Sequence, residues 1–136
     1  MRFEVPEAKK LVHEMTIPLR WGDMDAMQHV NNTSYLRYFE TVRIEWMNSI
    51  GAMPNPHGEG PVIVNVFCNF LRQLEFPGAV IAKHFIAAVG TSSFETYFTL
   101  EREDVRGVIC SNGGATVVWV KDQRPMALPS WLRALL

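Results

Sequence analysis

Cysteine is scarce in this chain: Cys68 and Cys110 are the only two, each inside a strand-like run and neither at metal-type spacing. A disulfide-stapled scaffold is excluded, and both thiols are expected to be reduced packing residues. Clustered positive charge is missing too. Thirteen Lys and Arg against fourteen Asp and Glu leave a formal charge of −1, with no basic run beyond Lys9-Lys10, so nucleic acid is not an expected partner. Long apolar runs are also absent. The most apolar stretch, residues 79–89, is interrupted by Lys83 and His84, and the first ten residues hold no apolar core of signal-peptide length. A cytoplasmic protein with no membrane partner is therefore expected. His13, His57 and His84 share no ligand spacing, so neither a metal nor another cofactor is expected.

What is present suits a folded domain. Hydrophobic residues make up 48% and charged residues 20%, a balance that separates the chain from disordered sequences. Its 136 residues fit one domain, 1–136, and a second catalytic unit is not expected.

Periodicity then divides the chain. In residues 14–21, Met15, Ile17, Leu19 and Trp21 alternate with polar neighbours as in a half-buried strand, and Pro18 places that strand at an edge or bulge. From 33 to 50 the spacing becomes helical: Tyr35, Phe39, Val42, Trp46 and Ile50 share one face. Asn31 or Asn32 suits the N-cap, and Gly51 suits the left-handed position after the helix. Pro54, Pro56, Gly58, Gly60 and Pro61 make 52–61 a loop. The rest reads as strands at about 62–74, 79–89, 92–103 and 105–120, with hairpin-length separators that imply an antiparallel sheet in meander-like succession. A short terminal helix is expected in 128–136. The resulting fold class is α+β: a five-stranded sheet with one apolar face over one long helix.

The most informative segment lies between the first strand and the helix. Arg20-Trp21-Gly22-Asp23-Met24-Asp25-Ala26-Met27-Gln28-His29-Val30-Asn31-Asn32 crowds two carboxylates, an imidazole and two carboxamides beside a helix N-terminus. The unpaired N–H groups there carry partial positive charge and suit an anion or a polarised carbonyl oxygen. Asp23 alternates with Asp25 at the strand end, so the two should point to opposite sides, with Asp23 structural. Asp25 has a bland reading as a turn aspartate and His29 as a polar residue fixing the turn. Asn65, a carboxamide among Val64, Val66 and Phe67, needs partners if its strand is buried and is a candidate for the cleft.

Trp21-Gly22-Asp23-Met24-Asp25, His29-Val30-Asn31-Asn32 and Tyr35-Leu36-Arg37-Tyr38-Phe39-Glu40 resemble the hotdog-fold thioesterases, chiefly the 4-hydroxybenzoyl-CoA thioesterase-like acyl-CoA thioesterases and the related acyl-ACP thioesterases. Phe70-Leu71-Arg72-Gln73-Leu74 and residues 115–125 extend the similarity over nearly the whole chain. The resemblance implies a curved antiparallel sheet around one central helix, a homodimer or homotetramer, and an active site between two subunits. It implies Asp25 as catalytic residue, assisted by His29, which stands where the acyl-ACP branch places a histidine. Met27 replaces an asparagine of that branch, and 62–68 carries no counterpart of its further acid. Asn31, Asn32, Tyr35, Asn65 and Ser93 are the expected substrate-binding residues; Asn31 or Asn32 doubles as cap, and Ser93 has a plain turn reading.

The expected activity is acyl-CoA hydrolysis, with Asp25 as nucleophile or general base and helix-start N–H groups polarising the carbonyl. Two other readings use the same fold: an acyl-ACP thioesterase, and a non-catalytic acyl-CoA-binding module. A Cys68 nucleophile with His29 as base is the competing chemistry, disfavoured because buried strand cysteines are usually inert.

Overall fold

The computed structural model describes residues 3–55 and 57–136. Strand β1 (Lys10–Pro18) ends in a single 3-10 turn at Trp21–Asp23, and helix α1 (Asn32–Ser49) follows. Then come β2 (Glu59–Phe70), β3 (Ala79–Ala87), β4 (Ser93–Arg102), β5 (Ile109–Lys121), the two-residue β6 (Arg124–Pro125) and the four-residue α2 (Ser130–Arg133). All pairings are antiparallel, in the order β1-β3-β4-β5-β2, with β6 on β5. This is the hotdog architecture expected from the sequence, with one additional short strand. The terminal helix is confined to four residues, anchored by Leu132 in the core and by Trp131 edge-on to Trp119.

One expected connection is corrected. The strand after α1 does not form a hairpin with the next one: β2 pairs β5, whereas β3 pairs β1 and β4. Residues 71–78 are therefore a crossover between opposite parts of the sheet. That segment is tied down by backbone bonds, Leu71 and Arg72 N–H to the Cys110 carbonyl, Val30 N–H to Leu74 and Leu19 N–H to Gly78. Leu74 leaves the sheet but is fully buried, which explains why its apolar neighbourhood reads as strand in the sequence. The crossover passes below the turn that precedes α1, and so becomes part of the site.

Helix α1 is punctuated at both ends by its own residues. Asn31 is the cap: its Oδ1 accepts from the Thr33 N–H at 3.0 Å and the Thr33 hydroxyl at 2.9 Å. At the other end Gly51 adopts φ +74°, a region open to glycine without a Cβ penalty. Ala52 N–H then bonds Met47 and Gly51 N–H bonds Asn48, the paired closure of a Schellman motif. The sheet-facing side of α1 carries the expected Tyr35, Phe39, Val42 and Trp46, and also Tyr38, Arg43 and Met47. Phe39 lies so close to β5 that a Cβ on Gly113 would stand 2.6 Å from its ring and 2.3 Å from the Phe67 carbonyl oxygen. A bare backbone at Gly113 is what lets helix and sheet approach there.

Candidate active site

Local backbone chemistry builds the turn before α1. Met24 and Val30 form a bridge, Asp25 N–H donates to the His29 carbonyl, and Gln28 turns the chain with φ +62°. The Asp25 carboxylate is held from within: Oδ1 accepts the Met27 N–H at 2.8 Å and the His29 N–H at 3.2 Å. Among the described residues no donor is bound to its Oδ2.

Asp23 does a different job. Its Oδ2 accepts the Tyr38 hydroxyl at 2.8 Å and the Arg20 N–H at 3.3 Å, so it ties the turn to the second turn of α1. Burial, and then the bond to Asp23, push the Tyr38 phenol well above its usual range and keep it a donor. The alternation of the two aspartates thus separates a structural carboxylate from an available one.

Asp25 stands where two openings meet. A cleft of about 590 Å³ is lined by Trp21, Gly22, Met24, Asp25, Met27, Gln28, Glu75 and Phe76. A smaller one of about 300 Å³ is lined by Asp25, His29, Val30, Asn32, Tyr35 and residues 70–73. His29 and Tyr35 therefore share the Asp25 site, as does Asn32. Tyr35 is buried edge-on to Phe70, and burial pushes its phenol up. Asn31 acts as the cap, its side-chain oxygen taken by Thr33.

Only part of the helix start is available as a hydrogen-bond donor. Val30 N–H goes to Leu74, Asn31 N–H to Asp23, Thr33 N–H to the Asn31 side chain and Ser34 N–H to the Asn31 carbonyl. The Asn32 N–H has no such partner among the described residues. A carbonyl oxygen at this end would therefore meet the Asn32 N–H and carboxamide, and not a full row of amides.

Two expected binding residues lie elsewhere in the single chain. Asn65 is exposed on edge strand β2, where the register shifts between Ile63 and Asn65, and its Oδ1 accepts the Thr116 N–H at 3.1 Å. The carboxamide oxygen is satisfied by replacing a ladder carbonyl at a bulge; the expected buried position is corrected because, among the described residues, β2 pairs with β5 alone. Ser93 opens β4, at the end of that strand away from Arg102, whose side chain grips the crossover beside the site. Neither residue lines either Asp25 opening.

One residue is added. Glu75, on the crossover, lines the larger cleft and holds Oε1 at 3.5 Å from His29 Nε2. A carboxylate thus faces the imidazole from a point 46 positions further along the chain. Its only sequence signal is its place just before Phe76-Pro77-Gly78. Cys68, by contrast, is half-buried against Ser111 Oγ at 3.3 Å, and burial pushes its thiol up, which suits packing and not nucleophilic attack. Among the described residues no group of three or more His, Cys, Asp or Glu could hold a metal ion, and no helix is long and apolar enough to cross a membrane.

An antiparallel sheet of this strand order with one long helix places the chain in the hotdog class. The family model of the thioesterase-like superfamily matches residues 19–136, and the chain belongs to that family. It is similar to a candidate thioesterase from Pseudomonas aeruginosa, PA2801, at 32% identity and a TM-score of 0.86, covering 92% of this chain and 98% of that one. A candidate acyl-CoA thioesterase from Xanthomonas campestris is 31% identical with a TM-score of 0.78, covering 88% and 100%. The uncharacterized protein YsmA of Bacillus subtilis is 27% identical over 115 residues, 85% of this chain and 76% of that one.

Proposed function

We propose that this thioester hydrolase cleaves acyl-CoA to a free carboxylic acid and CoA, with Asp25 as general base. The observation that carries the reading is the Asp25 carboxylate, pinned at Oδ1 by two N–H groups and positioned where two clefts meet. With Oδ1 occupied, Oδ2 is the oxygen that takes a proton from water as the water attacks the thioester carbon. The oxyanion so formed meets the Asn32 N–H and carboxamide. On collapse the carbon–sulfur bond breaks, and the departing thiolate is protonated from the His29–Glu75 side of the site. Likeness to a candidate acyl-CoA thioesterase at 31% identity supports CoA as the carrier over ACP.

Homodimerisation belongs to the same reading. Strand β2 is a 12-residue edge whose Val62, Ile63, Val64 and Val66 are 37–57% exposed, and an unpaired apolar edge of that length favours a second strand. Phe70 and Leu71, at the site end of that strand, are exposed as well, so a second copy seated there would complete the smaller Asp25 opening. Asn65 or Ser93 would enter a site only from such a copy.

The test is hydrolysis of a panel of acyl-CoAs, with the same acyl groups on ACP, by wild type and by Asp25→Ala. Turnover of the CoA esters that disappears in the variant supports the reading; an equally active variant sinks the role of Asp25. Tight acyl-CoA binding without turnover would make the chain a binding module.

A further inference from the structure

Arg43 is a buried cation with no bound acceptor. The residue is 6% exposed, its Nε has no hydrogen-bond partner, and among the described residues no carboxylate lies within ion-pair distance of it. The nearest acid acting on it is Glu40, one turn earlier, whose closest ion pair is Arg37 at 3.9 Å. His84, beside it, is fully buried with both ring nitrogens unpartnered, and burial followed by the Arg43 charge keeps that imidazole neutral. A guanidinium nitrogen buried without an acceptor costs stability, and an anion arriving from outside would relieve that cost.

The cavity beside Arg43 has room for one. It measures about 270 Å³, and apart from Arg43 and Glu40 its walls are Leu36, Phe39, Ile63, Val66, Phe98 and Gly114. It also lies in line with the thioester site. The smaller Asp25 opening is formed by Asn32 and Tyr35 of α1 with Phe70 at the end of β2. The Arg43 cavity uses Leu36, Phe39 and Arg43 of the same helix with Val66 and Ile63 of the same strand. Along the seam between α1 and β2, the polar opening is therefore followed by a second, mostly apolar cavity that holds the Arg43 cation and, at its exposed side, Glu40. Eleven helical residues from Asn32 to Arg43 span roughly 16 Å, and a side chain leaning toward the helix N-terminus shortens that to about 10 Å.

Given the thioester site at Asp25 set out above, we propose that the far end of the acyl group enters this cavity and that Arg43 binds an anionic group carried there. The substrate class is then an ω-carboxylated acyl thioester, with an apolar chain of roughly eight to twelve carbons matching the span of the seam. The planar guanidinium suits a carboxylate bidentately, and the acyl carboxylate would supply the acceptor the folded chain lacks.

The experiment compares octanoyl-CoA and decanoyl-CoA with the CoA thioesters of the eight- and ten-carbon dicarboxylic acids, using the full chain. Wild type is expected to favour the dicarboxylic esters by about 10- to 100-fold in kcat/KM, mostly through KM. Arg43→Met should erase that preference while leaving the monocarboxylic esters within about threefold of wild type, and Arg43→Lys should restore part of it. A wild type indifferent to the ω-carboxylate, or an Arg43→Met protein that loses both series equally, overturns the proposal. Thermal shift with free suberate and free octanoate gives a readout independent of turnover: suberate should raise the Tm of wild type, and octanoate should not. An equal response to both, no response to suberate, or a suberate response kept in Arg43→Met counts against the proposal. Loss of all acyl-CoA hydrolysis with the suberate shift intact would instead overturn the reading of Asp25 and leave the Arg43 site standing.

Discussion

The two halves of α1 present opposite kinds of polar chemistry. Around its first residue, one oxygen of Asp25, the Asp23 carboxylate and the Asn31 carboxamide are all bound by neighbours within the turn or helix. Around its middle, Arg43 Nε and both ring nitrogens of His84 are buried with no partner. The first region is a self-contained device whose geometry comes from residues close in sequence. The second is assembled by packing α1 on β3 and β4, where Trp46 meets His84 edge-on and His84 stacks on Phe98. Satisfied polar groups hold a reacting group in place; unsatisfied ones leave capacity for something else to bind.

The largest expected effect falls on the first region. Asp25→Asn keeps an oxygen for the Met27 and His29 N–H groups, so the turn should persist while kcat on acyl-CoA falls about 10²- to 10⁴-fold. Activity within tenfold of wild type, with an unchanged Tm, would remove Asp25 from the chemistry.

The second region should show itself in the pH dependence of stability. Burial holds the His84 imidazole down at about 3, below the ordinary value of about 6.5 that it regains on unfolding. Between those values the unfolded chain binds a proton that the folded chain refuses. Stability is therefore fully present above about pH 6.5 and is lost as pH falls, by on the order of 3 kcal/mol at pH 4. Urea unfolding of wild type and His84→Phe from pH 8 to pH 4 should show a shallower slope in the variant; parallel curves would mean that His84 does not carry the effect.

Smaller effects return to the turn. Tyr38→Phe removes the hydroxyl that binds Asp23 and should cost about 1–2 kcal/mol, read from the urea midpoint at neutral pH. An unchanged midpoint would show that Asp23 is held by the Arg20 N–H alone. Asn31→Ala removes the cap and should cost about 1 kcal/mol, whereas Asn31→Asp should cost little. Equal losses in both would point to packing at Asn31 and away from capping.

How much of this was legible depended on the distance over which each feature is decided. The helix, an asparagine cap at 31 or 32 and the Gly51 closure follow from spacings of a few residues, and the structure bears them out, with Asn31 as the cap. The β2–β5 pairing was not legible, because β2 and β3 follow one another with a short link that reads as a hairpin; the buried Leu74 and the backbone bonds of the link to Cys110, Val30 and Leu19 show that it crosses the fold. Asn65 was misread for the same reason. Its strand has the apolar composition of a buried one, and its place at the sheet edge is what exposes it.

The sequence by itself determined the α+β class, the central helix with both its ends, and the carboxylate turn, because hydrophobic period and side-chain-to-backbone bonding act over one or two turns of chain. The tertiary structure decided that Glu75 faces His29, that β2 is an open edge and that Arg43 is buried without an acceptor. Those properties belong to the space between elements. Burial and desolvation are set by whatever packs from the other side, and no local pattern records it.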